Sequence, residues 1–128
     1  PSPAKPRGKQ QKIHQTNSRA KVELPSRVEV QLATLVDEAP AGTQWLHEIK
    51  YDGYRMVCRI DHGQVQFLSR NHQDWTGKLT SLALAAKQLP ISTAILDGEV
   101  VAVRPDGTTD FQELQNAFRE KRADRLIY

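Results

Sequence analysis

The sequence predicts an α+β domain in which antiparallel sheets are flanked by helices. Residues 54–70 contain two strand patterns joined by a His-Gly pair, which is typical of a hairpin. Residues 78–88 place apolar side chains at helical spacing, and residues 93–104 form a further, nearly continuous apolar strand. A chain of 128 residues can bury one modest core, so these elements belong to one domain or to part of a larger domain.

The segment before the hairpin has no clear period. Residues 28–36 alternate apolar and polar side chains and then become apolar, which fits either a short strand or an extended arm. Residues 37–42 contain proline and glycine and are predicted to be a loop. Asp52-Gly53 is a turn-forming pair, because glycine adopts backbone angles closed to other residues. We therefore expect the chain to bend just after Lys50 and to hold this lysine at the lip of the sheet.

Two interpretations of Lys50 are open from this segment alone. If Lys50 lies beside Arg55 and is partly removed from water, its ammonium form is disfavoured, which is one route to a neutral, nucleophilic amine. Arg55 offers a planar fork suited to phosphate oxygens. Alternatively, the segment is a surface turn that carries a solvated lysine.

The hairpin is predicted to have an apolar face and a face that presents arginines. Because successive side chains of a strand point to opposite faces, the even positions of its first strand share the apolar face: Tyr54, Met56, Cys58 and Ile60. Arg55 and Arg59 lie on the other face, and Arg70 has the register opposite to that of Val65 and Phe67. Cys58 is the only cysteine, so an internal disulfide is excluded and we interpret it as a small, buried apolar residue.

The first helix, over about residues 78–88, is expected to have Asp74 or Thr76 as its N-cap. Its apolar stripe is interpreted as core: Leu79, Leu82, Ala83 and Ala86. Pro90 ends this helix, because proline cannot continue it.

Residues 93–104 are predicted to be the most buried strand, because almost all of their side chains are apolar. Asp97 and Glu99 interrupt this run and share one face. Unpaired buried carboxylates are costly, so the two acids are expected to line a cleft or to pair with cations. Alternatively, Asp97-Gly98 is a turn and Glu99 is exposed.

A second helix is predicted to start at Asp110, after a tight turn at residues 105–107. The acid at this position, followed three residues later by a glutamate, is typical of a helix start. Three large apolar residues then recur at helical spacing, and we interpret them as core: Phe111, Leu114 and Phe118. Residues 126–128 are expected to open another strand.

Positive charge is concentrated near the start of the chain. Of the 18 Lys and Arg residues, six lie in residues 1–22, which contain no acid, and the remaining 12 face 15 Asp and Glu. Residues 1–24 lack apolar periodicity and are predicted to be a basic, disordered linker, with the domain in residues 25–128. Such an arm could also add salt-sensitive affinity for a nucleic-acid backbone.

The composition argues against several classes of protein. No apolar run is long enough to span a membrane and no signal-peptide pattern opens the chain, so we expect a cytoplasmic protein. The four histidines show no metal-ligand spacing and there is no paired-cysteine motif, so we expect no metal-ligating residues in this chain.

Three stretches together resemble motifs I, Ia and III of the covalent nucleotidyltransferases, which comprise ATP-dependent DNA ligases, RNA ligases and mRNA capping enzymes. They are residues 50–55 (Lys-Tyr-Asp-Gly-Tyr-Arg), residues 67–76 (Phe-Leu-Ser-Arg-Asn-His-Gln-Asp-Trp-Thr) and residues 95–101 (Ile-Leu-Asp-Gly-Glu-Val-Val). Over roughly residues 31–120 the sequence most resembles the adenylation domain of the bacterial ligase D family, which are multidomain end-joining ligases. The resemblance implies the front half of the ligase and capping-enzyme nucleotidyltransferase fold, which is ATP-grasp-like.

The same resemblance implies that part of the domain is missing from these residues. Adenylation domains of this family continue into motifs IIIa, IV and V, and an acid of motif IV helps to hold the metal. None of these motifs is found here. We therefore expect this fragment alone to be inactive or weakly active, and the main protein ligand of Mg²⁺ or Mn²⁺ to lie beyond its C-terminus.

The chemistry implied by the resemblance centres on Lys50 as the catalytic residue. Lys50 would attack the α-phosphorus of ATP and form a lysyl-AMP intermediate; AMP would then pass to the 5′-phosphate of a DNA nick, which the 3′-hydroxyl seals. Arg55 would contact the ribose or a phosphate, and Arg70 the nucleotide or the 5′-phosphate of the nick. Glu99 would accept hydrogen bonds from the ribose hydroxyls.

Further expectations follow from the family. The backbone at Glu48 and Ile49 would read the adenine edge, and residues 31–33 would pack near the nucleotide pocket. The implied partners are nicked or broken double-stranded DNA and the other domains of a multidomain end-joining ligase, in the bacterial cytoplasm, associated with the nucleoid and not with a membrane. Two alternatives stay open: an RNA ligase or capping enzyme, and a non-catalytic nucleic-acid-binding or protein-binding module.

Overall fold

The computed structural model describes residues 23–128, in which four strands and two α-helices follow one another. They are β1 (Tyr54–Asp61), β2 (Gln64–Ser69), α1 (Thr80–Lys87), β3 (Thr93–Ala102), α2 (Phe111–Arg119) and β4 (Leu126–Ile127). Single turns of 3₁₀-helix occupy Thr76–Lys78 and Ala123–Arg125. The predicted linker, residues 1–24, lies outside the described residues except for Glu23 and Leu24.

The strands form one antiparallel sheet in the order β2-β1-β3-β4. β1 lies between β2 and β3 and pairs with both. His62 and Gly63 join β1 to β2 with φ angles of 48° and 84°, as a type I′ hairpin turn requires. The sheet and its two helices confirm the predicted α+β fold class and the predicted hairpin.

The core lies on the sheet face that carries the even-numbered residues of β1. Met56, Cys58 and Ile60 are at most 2% exposed and pack with the helices. Leu79, just before α1, and Leu114 in α2 are fully buried against them, so the predicted apolar stripes of both helices are confirmed as core. Burial raises the pKa of the Cys58 thiol to about 11, which agrees with its interpretation as a buried apolar residue.

The opposite face of the sheet, called the outer face below, carries the charged residues. Arg55 and Arg59 lie there, as the alternation predicted, and Asp97 and Glu99 of β3 share that face. β3 is not the most buried strand, which corrects our expectation: three of its residues are buried, whereas four of β1 are. Its three buried residues are its last three, and the preceding part, which contains both acids, is exposed or half-buried.

α1 begins at Thr80 without a side-chain N-cap, so the prediction of Asp74 or Thr76 as its cap was wrong. The residue before the helix is Leu79, whose side chain accepts no hydrogen bond. Asp74 instead accepts from the backbone N–H of Thr76 at 2.8 Å. This bond begins the 3₁₀ turn that precedes α1, and the turn displaces the start of the helix.

α2 begins at the predicted position and is capped by Asp110. One carboxylate oxygen accepts from the backbone N–H groups of Gln112 at 2.7 Å and Glu113 at 3.1 Å. The other oxygen pairs with the guanidinium of Arg104. Asp110 therefore ties the start of the helix to the turn that follows β3.

We expect Asp110→Ala to lower the free energy of unfolding by about 1–2 kcal/mol, because two backbone donors at the helix start lose their acceptor. Asp110→Asn is the matched control, since its amide oxygen can still cap the helix while the charge that pairs with Arg104 is removed. Urea unfolding followed by circular dichroism measures both variants. An equal loss in the two would show that the ion pair, and not the cap, carries the effect.

Residues 23–53 contain neither helix nor strand. Residues 28–36 are thus the extended arm and not the strand that the sequence also allowed. Residues 25–30 lie against the outer face near Val57 and Arg70, whereas residues 31–52 are exposed throughout. The segment that carries Lys50 is therefore held by few contacts from the described residues.

Candidate functional site

Lys50 lies in the irregular segment four positions before β1 and lines an open cleft of about 610 Å³. The side chains that share this cleft include Glu48, Ile49, Arg55, Asp97 and Glu99. Lys50 itself is exposed, so the expectation that it is partly removed from water is corrected. The reason is that no strand or helix of residues 23–128 packs over it.

Arg55 is held in position by three hydrogen bonds. Its Nε and Nη2 donate to the two carboxylate oxygens of Asp97 at 2.9 Å and 2.6 Å. Its Nη1 donates to the backbone carbonyl of Gln31 at 2.6 Å, which anchors the arm at the residues expected near the pocket. A guanidinium has five N–H donors, so two remain for a ligand in the cleft. Arg55 is thus a pre-oriented cation.

Asp97 is a site residue that the sequence-based assignment of the pocket did not include. Asp97 and Gly98 lie inside β3 and do not form the turn that was one of the alternatives; the acid pairs with a cation instead. The hydrogen bonds from Arg55 hold the pKa of the Asp97 carboxyl below its usual range. The available signal was the period of two, which places Asp97 on the same face of β3 as Glu99; the register of β1 against β3 then brings Arg55 to that face.

Asp97→Asn is expected to reduce the pH dependence of the free energy of unfolding at acidic pH. Because the folded-state pKa of Asp97 is lowered, its contribution is present above the ordinary value of 3.8 and is lost as the pH falls further. The pair is partly exposed, so the loss at neutral pH should stay below about 1 kcal/mol. Urea unfolding at neutral pH and below the ordinary pKa measures this difference. Asp37→Asn, in the exposed loop, should keep the acid dependence of the parent chain, and a parent-like dependence in Asp97→Asn would contradict the assignment.

Glu99 lies directly opposite Arg55 in the sheet and is half-buried. Burial raises the pKa of its carboxyl, while the N–H of Gly53, which donates to the carboxylate, and the positive charges of Lys50 and Arg55 oppose that rise. Lys50 and Glu99 line the same cleft. The predicted acid and the predicted nucleophile therefore border one space.

Gly53 permits this arrangement through close packing. A Cβ atom at Gly53 would lie 2.2 Å from the backbone oxygen of Val100 and 2.8 Å from Cγ1 of Val101. Its φ is not among the positive values of the chain, so the expectation that it supplies unusual backbone angles after Lys50 is corrected. The absent side chain lets the chain approach β3 closely enough for the Gly53 N–H to reach Glu99.

Arg70 follows β2 and lines a neighbouring cleft of about 400 Å³. That cleft shares Arg55 and Glu99 with the Lys50 cleft and also contains Tyr54 and Trp75. The structure thus brings Lys50, Glu48, Ile49, Arg55 and Glu99 into one cleft and places Arg70 in the adjoining one. Three cations along one surface can hold the phosphates of a nucleotide.

In the part of the chain that the structure describes, no group of three or more His, Cys, Asp or Glu side chains is placed to hold a metal ion. Asp97 and Glu99 are close to each other, but Asp97 is engaged by Arg55 and Glu99 by Gly53. No helix within residues 23–128 has both the length and the apolar character needed to cross a membrane. The described Lys50 cleft therefore combines two cations, Lys50 and Arg55, with three acids, of which Asp97 and Glu99 are already engaged.

Residues 22–127 match a family model described as "ATP dependent DNA ligase domain". The multifunctional non-homologous end joining protein LigD of Pseudomonas aeruginosa is 42% identical over 111 residues, which are 87% of this chain and 13% of that protein. The bifunctional non-homologous end joining protein LigD of Bacillus subtilis is 36% identical over 100 residues, 72% of this chain and 16% of that protein. The chain thus spans less than a fifth of the length of these curated relatives.

Solved structures are similar as well. The ligase domain from M. tuberculosis LigD matches with a TM-score of 0.50 and 36% identity, over 54% of this chain and 23% of that one. A mycobacterial DNA ligase D complexed with ATP and MES matches with the same TM-score and coverage. Because these identities exceed a quarter, the likeness reflects common descent as well as a common fold.

Proposed function

Because this chain belongs to the ATP-dependent DNA ligase domain family, homologous to the ligase domain of LigD, we propose that Lys50 is the nucleophile of its adenylyl transfer. The unprotonated amine attacks the α-phosphorus of ATP; a P–N bond forms, the bond to pyrophosphate breaks, the nitrogen loses its extra proton to solvent, and lysyl-AMP results. The adenylyl group then passes to the 5′-phosphate of a DNA nick. Attack by the 3′-hydroxyl seals the strand and releases AMP.

The observation that carries this proposal is the cleft that Lys50 shares with Arg55 and Glu99. Displacement at phosphorus depends mainly on positioning and on neutralising the charge of the phosphoryl oxygens. Lys50 forms no ion pair with any described residue, and Arg55 keeps two N–H donors after its bonds to Asp97 and Gln31. Both groups are thus available to a triphosphate in the cleft.

The remaining roles follow the same arrangement. We assign Arg55 to the ribose or a phosphate, Arg70 to the nucleotide or the 5′-phosphate of the nick, and Glu99 to the ribose hydroxyls. Glu99 has acceptor capacity beyond its bond from Gly53, because a carboxylate offers about four lone-pair sites. The backbone at Glu48 and Ile49 is assigned to the adenine edge.

We propose that the metal ion that accompanies ATP is Mg²⁺ or Mn²⁺. The described residues do not build a site for it by themselves, so the steps above use Lys50 and the arginines. Positive charge from these side chains offsets the developing charge on phosphate.

We infer the biological role of this chain from its relatives, which are named as non-homologous end joining proteins. We assign to this chain broken or nicked double-stranded DNA as substrate and the other domains of a multidomain end-joining ligase as partners. The corresponding compartment is the bacterial cytoplasm, at the nucleoid.

Incubation of the full-length protein that carries this chain with α-labelled ATP and Mg²⁺ tests the proposal. We expect a covalent adenylate, located on Lys50 by mass spectrometry of its peptides, and little adduct with labelled GTP. The 128-residue chain alone is expected to react weakly or not at all. Absence of any adduct on the full-length protein would overturn the proposal, and a preference for GTP would indicate a capping-type reaction.

A further inference from the structure

A third groove, between α2 and the 3₁₀ turn that precedes α1, takes no part in the chemistry proposed above. Its volume is about 700 Å³, and the residues that matter here are Tyr54, Trp75, Lys78, Phe118, Arg119 and Lys121. We call it the helix groove. The rings of Tyr54, Trp75 and Phe118 pack with centroid distances of 5.4–5.8 Å. Its floor is therefore an interlocked aromatic cluster.

The rim of the helix groove is positively charged and uncompensated. Lys78, Arg119 and Lys121 line it, and no carboxylate from residues 23–128 does. None of the three forms an ion pair with the residues that the structure describes, whereas Arg55, Arg104 and others are paired. The Lys78 ammonium lies 4.2 Å from the centroid of the Trp75 ring, a cation–π contact that fixes it at the rim.

The helix groove adjoins the cleft of Arg70, which in turn adjoins the cleft of Lys50. Tyr54 and Trp75 line both the helix groove and the Arg70 cleft. The Arg70 cleft in turn shares Arg55 and Glu99 with the cleft of Lys50. The Arg70 cleft therefore adjoins the helix groove at Tyr54 and Trp75 and the Lys50 cleft at Arg55 and Glu99.

We propose that the helix groove binds the sugar-phosphate backbone of the DNA strand whose 5′-phosphate lies at Arg70. The groove offers three unpaired cations, which match the repeating negative charge of a nucleic-acid backbone and release its counterions on binding. Aromatic rings between the cations can contact sugars or bases. The position of the 5′-phosphate rests on the proposed function, but the charge and the aromatic floor argue for a nucleic-acid strand independently.

The salt dependence of DNA binding tests this proposal. Fluorescence anisotropy would compare the 128-residue chain with its triple variant Lys78→Gln, Arg119→Gln, Lys121→Gln on a labelled nicked duplex. Each lost phosphate contact reduces the magnitude of the slope of log K against log salt by about 0.9. We therefore expect the slope of the triple variant to be smaller in magnitude by roughly 2–3, and that of each single variant by up to about 0.9. Lys87→Gln, at the end of α1 and outside the groove, is the matched control and should keep the slope. Residues 1–22 are the same in all of these proteins, so they do not affect the comparison.

Three results would overturn the proposal. They are an unchanged slope in both the triple and the single variants, an equal loss for Lys87→Gln, and tighter binding of an acidic peptide than of a duplex with the same charge. If the triple variant does not fold, as judged by circular dichroism, the single variants decide.

The adenylation assay separates this proposal from the proposed function. The groove variants are expected to keep adduct formation at Lys50 in the full-length protein, because none of the three cations lines the Lys50 cleft. If the groove variants bind DNA less tightly but the unsubstituted protein forms no adduct on Lys50, the groove proposal holds and the assignment of Lys50 as the nucleophile is refuted. If the adduct forms but the groove variants bind DNA as the parent does, the groove proposal alone is refuted.

Discussion

Lys50→Arg is expected to abolish the covalent adenylate, by roughly a thousandfold or more, as removal of other covalent nucleophiles does. A guanidinium stays protonated at any pH at which the protein is folded, so it cannot supply the free electron pair that attacks phosphorus. Lys50 is exposed and lies outside every helix and strand of the described residues, so the variant should remain within about 0.5 kcal/mol of the parent in stability. Phosphor imaging of the full-length protein after incubation with α-labelled ATP measures the loss.

The same variant carries its own control for binding. Because arginine keeps the positive charge, affinity for a nicked duplex should be retained while the adduct disappears. Lys87→Arg makes the same change outside the site and should form the adduct at the parent rate. An adduct at the parent level on Lys50→Arg would show that another side chain is the nucleophile, and a loss of the folded state would show that Lys50 has a structural role.

Much of the fold could be predicted from the sequence, because the signals were local. The alternation before and after His62-Gly63 specified β1, β2 and their turn, and the period of two within β3 placed Asp97 and Glu99 on one face. Asp110, with a glutamate three residues later, marked the start of α2. In each case the residues that decide the structure lie within a few positions of one another, so no long-range information was needed.

The parts that could not be predicted depend on contacts between distant segments. Asp97 became the partner of Arg55 through the register of β1 and β3, which brings together residues 42 positions apart. The carbonyl of Gln31 reaches the same guanidinium from the arm. Exposure of Lys50 likewise depends on which elements cover residues 31–52, and its local sequence carries no information about that cover.

The capping of α1 failed for a different reason. Asp74 and Thr76 have the side chains of good N-caps, and both do accept hydrogen bonds from backbone N–H groups, of Thr76 and Phe67 respectively. They serve the 3₁₀ turn and the end of the hairpin, because the chain needs an extra turn to bring Leu79 into the core. The prediction that these side chains accept backbone hydrogen bonds was thus correct, but the prediction that they cap α1 was wrong.

Gly53→Ala is expected to lower the free energy of unfolding by about 1–3 kcal/mol and to reduce adenylation of the full-length protein at the same time. The added Cβ would lie 2.2 Å from the Val100 backbone oxygen, so β1 and β3 must separate at the point where Glu99 is positioned, and overpacking of this kind costs that much. The N–H of Gly53 would also move away from the Glu99 carboxylate. Gly77→Ala, where an added Cβ meets nothing within 4 Å, is the matched control and should stay within about 0.5 kcal/mol of the parent. Parent-like stability of Gly53→Ala, measured by urea unfolding, would mean that the chain before β1 can shift freely, and Lys50 would then not be held beside Glu99 by this packing.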